Sequence, residues 1–229
     1  WFASTALGSK SGTLLPLWGY PNASGQGDST HTASFARGKW ILGLNVCDLE
    51  MGRSFWVGKH FSLRPFIGAR GAWIDQHFHI RYDLATSSPT STHIHALSDF
   101  SGGGIRAGTD MRFTLIGGWS FYSVASASLL YGFYNCDFHE QWDGQAIADA
   151  KNRFRQGVSN GQLELGVRWD TYLHRDRYHI GLYAGWEQNI WFGMNKMSRY
   201  FGSLDEGNFE QMNADLTLSG GTFGVRFDF

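Results

Sequence analysis

The chain has 229 residues, a formal net charge of −1, 16% aromatic residues, 30 Gly and only 4 Pro. So balanced a charge gives no electrostatic footprint for nucleic acid, and a mix rich in aromatics and Gly excludes a disordered chain or a coiled coil. No apolar run reaches the roughly 18 residues of a spanning helix, which a membrane barrel does not need, because its strands alternate instead.

The length suits one sizeable β domain, residues 1–229. Cys47 and Cys136 are too few for a disulfide framework. The first residues show no basic stretch followed by an apolar core, so this segment holds no signal peptide. An exported protein with this start is expected to have upstream sequence, removed by processing or absent because the chain is a fragment.

Residues 1–33 read as a loop rich in Ser, Gly and Thr, with an apolar patch from Leu14 to Trp18. A first strand is predicted from about Ala36 to Leu49, with Trp40, Leu42, Leu44 and Val46 opposite Lys39, Gly43, Asn45 and Cys47. After a connector at 51–59, a second strand runs from Phe61 to Tyr82. There Leu63, Pro65, Ile67, Ala69 and Trp73 oppose Arg64, Phe66, Gly68 and Arg70. Its alternation blurs after Ile74, as a bulge would make it. A polar loop follows at 83–98. A third strand, Phe100 to Leu115, sets Ile105, Ala107, Met111 and Phe113 against Arg106, Gly108, Asp110 and Arg112.

Gly117 and Gly118 make a tight hairpin turn. A fourth strand, Trp119 to about Phe138, carries Phe121, Leu129, Tyr131 and Phe133 in phase. Residues 138–157 read as a long polar loop in which Gln145 to Arg153 forms a turn of helix. The fifth strand, Gly161 to Leu173, is the most regular, with Leu163, Leu165, Val167 and Trp169 against Gln162, Glu164, Arg168 and Asp170. A charged turn at 174–177 leads to a sixth, in which Ile180, Leu182, Ala184, Trp186 and Ile190 oppose Gly181, Tyr183, Glu187 and Asn189. A long loop at 193–213 precedes the last strand, 214–229. There Phe223, Val225, Phe227 and Phe229 share one face, and Thr222, Gly224, Arg226 and Asp228 the other.

A chain that finishes on such a strand with a terminal aromatic resembles bacterial outer-membrane barrels. In those proteins the last strand closes the barrel, and the assembly machinery reads the terminal aromatic, here the set Phe223, Val225, Phe227 and Phe229. Two global regularities point the same way. Long connectors (83–98, 138–157, 193–213) alternate with shorter ones (51–59, 116–118, 174–177), as extracellular loops alternate with periplasmic turns. Aromatics collect beside the short turns: Phe113, Trp119 and Phe121, then Trp169, Tyr172 and Tyr178, then Phe227 and Phe229. The fold expected is an all-β, antiparallel, up-and-down transmembrane β-barrel with about seven strands visible.

If the apolar faces meet lipid, the charges must face inward. The residues expected to line the interior are Arg64, Arg70, Arg106, Asp110, Arg112, Glu164, Arg168, Asp170 and Glu187. A small barrel would bury them as a paired network and a wide one would leave them lining water; charges on so many strands favour the second.

Three segments carry a resemblance: Asp48-Leu49-Glu50-Met51-Gly52-Arg53, Leu63-Arg64-Pro65-Phe66-Ile67-Gly68-Ala69-Arg70-Gly71-Ala72-Trp73-Ile74-Asp75-Gln76, and Ile105-Arg106-Ala107-Gly108-Thr109-Asp110-Met111-Arg112. They resemble the pore-forming outer-membrane proteins shared by Legionella and Chlamydia-related bacteria, which are similar to the chlamydial major outer membrane protein. The likeness runs from about residue 36 to the end and includes the Pro16 to Gly19 segment.

The resemblance implies a bacterial outer-membrane porin for passive diffusion of small hydrophilic solutes and ions, with no cofactor. Its partners would be outer-membrane lipid and the barrel-assembly machinery, with homo-oligomers and disulfide-linked envelope partners through Cys47 and Cys136 as further expectations; none is a nucleic acid. The alternative is a structural or adhesive surface protein that uses its extracellular loops. Seven strands are an odd number, whereas bacterial single-chain barrels have even numbers. At least one further strand is therefore expected upstream, in an intact barrel of roughly sixteen strands that the resemblance suggests.

Other constellations carry less. His77 and His79, and His93 and His95, are spaced i, i+2 and could each offer two ligands from one face, but no third ligand has a definable spacing, so no metal site is assigned. Asp75 with these histidines, or His139 with Glu140, lacks a fixed nucleophile or second carboxylate, and no catalytic residue is assigned. Gly102-Gly103-Gly104 has no helix after it to make a phosphate loop, and reads as a thin inner wall or a bulge.

Overall fold

The computed structural model describes residues 2–14, 16, 18, 32–84, 91–173, 178–201 and 208–228. It contains strands β1 (Phe2–Leu14), β2 (Ala33–Gly52), β3 (Phe55–Trp56), β4 (Phe61–Leu84), β5 (Ser91–Thr114), β6 (Trp119–Trp142), β7 (Gln145–Leu173), β8 (Tyr178–Asn195), β9 (Ser198–Phe201), β10 (Asn208–Gln211) and β11 (Ala214–Asp228), and no helix among the described residues. Eight of them pair as neighbours in the order β1-β2-β4-β5-β6-β7-β8-β11, with β3 beside β4 and a separate β9–β10 hairpin. All pairings are antiparallel. The sheet curls strongly: Arg70 on β4 reaches Asn160 on β7, and Arg106 on β5 reaches Asp48 on β2. Gly68 and Gly104 permit this, because a Cβ there would run into the carbonyls of Leu49 and Leu129 on the neighbouring strands.

Length explains what the chain does along each strand. At a rise of about 3.3 Å per residue, the 24-residue strands β4, β5 and β6 are each about 80 Å long. A tilted strand needs only about 9–11 residues to cross a membrane. Around the short turns the convex face is apolar and exposed (Ile67, Ile105, Leu129, Leu165, Val225) while the concave face is charged. Toward the other end the polarity reverses. There the convex face carries Asp75, His77, His79, His95, Asp137, Arg153 and Arg155, and the concave face is a packed apolar core of Leu42, Ile74, Phe100, Leu130, Tyr134, Trp191 and Met194.

The apolar convex band spans residues 45–51 of β2, 63–73 of β4, 101–113 of β5, 119–133 of β6, 161–169 of β7, 180–192 of β8 and 217–227 of β11. Aromatics mark both rims. Phe113, Trp119, Phe121, Trp169 and Phe227 stand at the turn side, and Trp73, Tyr131 and Phe133 at the other, where Arg155 lies 4.5 Å over the Phe133 ring. Amphipathic rings at two levels are the girdles of a membrane-crossing barrel wall.

Several expectations change. Residues 2–14 are a strand rather than part of a loop, and Leu15 and Leu17 of the apolar patch, with Gly19 of the Pro16 to Gly19 segment, lie outside the described residues. Phe2 pairs with Leu44 and Leu14 with Ala33, so β1 lies wholly beside the part of β2 beyond the band. That strand is exposed and polar for this reason, which hid it from a search for alternating apolar residues. Seven strands cross the band, and the sheet has eight along its path because β1 joins it beyond the band. The outer edges of β1 and β11 have no partner strand among the described residues.

No bulge follows Ile74, since β4 and β5 pair without a shift from Phe61 to Asp83; the alternation blurs because the concave face itself turns apolar. Gly102 to Gly104 likewise pair regularly on both sides. The expected long loop at 138–157 with its helical turn is a hairpin closed by Asp143 (φ 49°) and Gly144 (φ 80°), an Asp-Gly turn of the primed kind. Of the loop expected at 83–98, residues 83–84 belong to β4 and 91–98 to β5, residues 85–90 lying outside the described residues, and 193–213 contains β9 and β10. Connector length therefore does not distinguish the two ends of the sheet; surface polarity does. Finally, Trp40, Leu42, Leu44 and Val46 point to the concave side, not to lipid, because they belong mainly to the dry upper core.

Leu165 faces outward in the middle of the band and Lys151 outward beyond it. Replacing Leu165 with Arg is expected to cost about 2–4 kcal/mol in lipid, and Lys151→Glu nothing comparable, as read by urea unfolding from vesicles. Equal costs at the two positions would refute the placement of the band.

Candidate functional site

Within the band the concave face brings together side chains from β2, β4, β5, β6, β7, β8 and β11. Arg70 and Arg106 form its centre, only 4% and 6% exposed. Arg70 makes a two-pronged ion pair with Asp48, Nε to Oδ1 and Nη2 to Oδ2 both at 2.7 Å. Its other donors reach Asn160 Oδ1 and, at 3.2 Å, Gln162 Oε1. Arg106 donates to Asp48 Oδ2 and Gln162 Oε1, both at 2.9 Å, to Glu50, and to Ser126 Oγ at 3.2 Å. Gln162 Nε2 passes the network on to Glu187 at 2.9 Å. Rings flank the two cations: Trp191 lies 6.0 Å from Arg70, and Phe66 5.1 Å from Arg106.

Nearer the turn side the charges are looser. Arg64 donates to Asp110 at 2.5 Å. Arg168 pairs with Asp170 on its own strand at 2.8 Å, with Arg112 at 3.8 Å from the same carboxylate. Glu164 accepts from Tyr122 OH at 2.7 Å and from Thr222 Oγ1 at 2.9 Å. Between these groups lies an open cleft of about 730 Å³ lined by Arg64, Asp110, Arg112, Glu164, Arg168 and Arg226.

All nine residues expected on the interior side, Arg64, Arg70, Arg106, Asp110, Arg112, Glu164, Arg168, Asp170 and Glu187, thus lie on the concave face, but as a largely paired network rather than as separate charges in water. Asp48, Glu50, Asn160 and Gln162 were missed as members. Asp48 and Glu50 continue the even-numbered positions of Trp40 to Val46. Two carboxylates in phase with an apolar run were the available sign that this run faces inward. On β11, Phe223 (82% exposed), Val225 and Phe227 point outward, and Phe229 lies outside the described residues.

Beyond the band, register joins the two histidine pairs that spacing had left apart. His79 opposes His95, which opposes His139, and Nδ1 of His79 lies 2.7 Å from Nδ1 of His95. Among the described residues no three His, Cys, Asp or Glu side chains are placed to hold a metal. His139 and Glu140 point to opposite faces, so they do not form one acid–base pair. Cys47 is exposed on the convex side and Cys136 buried on the concave side, so the two cannot bridge each other.

A strongly curled antiparallel sheet, apolar outside and charged inside over one membrane thickness, with aromatic rims, defines a β-barrel wall of a bacterial outer membrane. The model of the family described as Legionella pneumophila major outer membrane protein precursor matches residues 15–229, and the chain belongs to this family. Its location is the bacterial outer membrane. No curated protein and no solved structure matches it.

Two outcomes are expected here. Asp48→Asn leaves Arg70 and Arg106 to share Glu50 and should destabilise the fold by about 3–5 kcal/mol, the range for breaking a buried pair; a urea midpoint equal to that of the parent would show the network to be dispensable. The second concerns pH. Burial first, then His77 and Lys39, lowers the pKa of His79; burial first, then His79, His139 and His93, lowers that of His95. The unfolded chain therefore takes up protons first as the pH drops below about 6.5, and stability declines from there until the lowered folded values are reached. His79→Gln with His95→Gln should flatten the urea midpoint between pH 7.5 and 5; an unchanged slope would remove these residues as its source.

Proposed function

We propose that the protein is a porin through which small hydrophilic solutes and ions diffuse passively. The observation that carries this reading is the open, charged cleft on the concave face at the depth where the convex face meets lipid. A wall that served only as an anchor gains nothing from placing Arg64, Asp110, Arg112, Glu164 and Arg168 around solvent, since packed apolar groups of similar volume there would be as stable or more so. Water is the reason to keep these charges.

No reaction and no cofactor belong to this reading; His139 and Glu140 lie on opposite faces, and Asp75, His77 and His79 stand on the convex face beyond the band. Closure requires the outer edges of β2, without a partner from 45 to 52 among the described residues, and of β11 to be paired in the bilayer, where each unsatisfied backbone group costs several kcal/mol. Outer-membrane lipid on the convex band and the assembly machinery at the terminal aromatic strand are its expected partners. The adhesive alternative rested on long outer loops. It loses one of them at 138–157, now a two-residue turn.

Planar lipid bilayers test the proposal. The folded protein should produce stepwise, ohmic conductance. A preparation shown by protease resistance to be folded and inserted, yet giving no conducting steps, would defeat it.

A further inference from the structure

The convex face beyond the band holds five of the chain's nine histidines: His77 and His79 on β4, His93 and His95 on β5, and His139 on β6. Parity puts them on one side, and the register of three strands gathers them. His79 opposes His95, and His95 opposes His139, in a row that runs from Lys39 on β2 to Asp149 on β7. Directly opposed side chains stand about 4.5–5.5 Å apart at Cβ, which lets imidazoles from separate strands meet. Nδ1 of His79 lies 2.7 Å from Nδ1 of His95, with the two rings at 85° to each other and their centroids 4.6 Å apart. His77 stacks on His79 with centroids 6.5 Å apart.

Two imidazole nitrogens that converge in this way form a hydrogen bond when one carries a proton, and a chelate for a metal ion when neither does. Bonds of about 2.0–2.1 Å to a zinc-sized ion, at angles from square-planar to tetrahedral, set the ligand nitrogens about 2.9–3.4 Å apart. A small rotation of either ring about χ2 opens the 2.7 Å separation to that range. In the bound form the donating ring carries its proton on Nε2 instead, so both rings stay neutral, as metal-ligating imidazoles must be. Lys39 and Asp149 balance each other at the two ends of the row, so an ion there is held by coordination and not by the surrounding field. Beside His139, Asp137 has a buried Oδ1 that accepts no hydrogen bond, which leaves an acceptor for water carried by such an ion.

We infer that His79 and His95 form a surface site for a divalent transition-metal ion of the imidazole-binding class, zinc or copper(II). With no third His, Cys, Asp or Glu side chain placed to complete the set among the described residues, the ion keeps water in its remaining positions. Nitrogen ligands select this class over calcium and magnesium, which take oxygen. The site is independent of the diffusion reading, because the row lies off the concave face and beyond the lipid band.

The test is a calorimetric titration of the untagged full chain, folded in detergent micelles, with zinc alone as the probe. One equivalent should bind saturably. His79→Gln and His95→Gln should each weaken it by about tenfold or more, the least that loss of even an outer-shell partner costs. His60→Gln, exposed beside the turn-side end of β4, should leave it unchanged. Copper(II) adds a readout that needs no variant: its electron paramagnetic resonance spectrum in the parent should carry the splitting of two imidazole nitrogens. A parent that binds no zinc, zinc binding that both variants retain, or a copper spectrum with oxygen ligands only overturns the site, and none of these touches the porin reading.

Discussion

A charged or backbone polar group facing hydrocarbon costs kilocalories, and the direction of nearly every side chain in the inner half of this sheet follows from that. Backbone groups are satisfied by the ladder between strands. Side chains have two sides to choose from, and the period of two sends all members of one parity the same way. Once Ile67, Ile105, Leu165 and Val225 are committed to lipid, Arg70, Arg106, Glu164 and Arg226 have only the interior. The interior must then accommodate them. It does so by opposing Arg70 and Arg106 with Asp48 and Glu50, spacing the pairs with Gln162 and Asn160, and leaving the looser charges of the turn side around an open cleft.

Beyond the lipid the same constraint acts with the opposite sign. Water bathes the convex face there, so Asp75, His79, His95, Arg153 and Arg155 stand outside, and the concave side collects Leu42, Ile74, Phe100, Tyr134 and Trp191 as an ordinary core. A strand with one parity throughout therefore changes its apolar face halfway along. The segment around Met194 and Met197 belongs to this dry region, where it covers apolar surface that would otherwise remain wet.

How much was legible beforehand varied with depth. Inside the band alternation is strong, and the faces of β5, β7, β8 and β11 were read correctly from spacing. Where strands extend past the band, the apolar parity swaps, and a reader expecting one lipid-facing parity takes β4 beyond Ile74 for a bulge and the β6–β7 hairpin for a loop with a helical turn. β1 has the weakest signal of all: it lies entirely beyond the band and buries almost nothing. The Asp143-Gly144 turn was visible as a dipeptide, but the polar strands on either side concealed it.

The sequence by itself determined that the chain is an antiparallel membrane wall, that seven strands cross, and which residues share a face, because a strand's period of two is a local property of its backbone. It also carried the charges that must avoid lipid. Tertiary structure alone decided which face of β2 is inside, because that depends on the register that sets Asp48 beside Arg70. It alone joined His79 to His95 and His139 and brought Met194 against β4 and β6. These are contacts between residues distant in sequence, and they exist only once register and curvature have placed the strands around one interior.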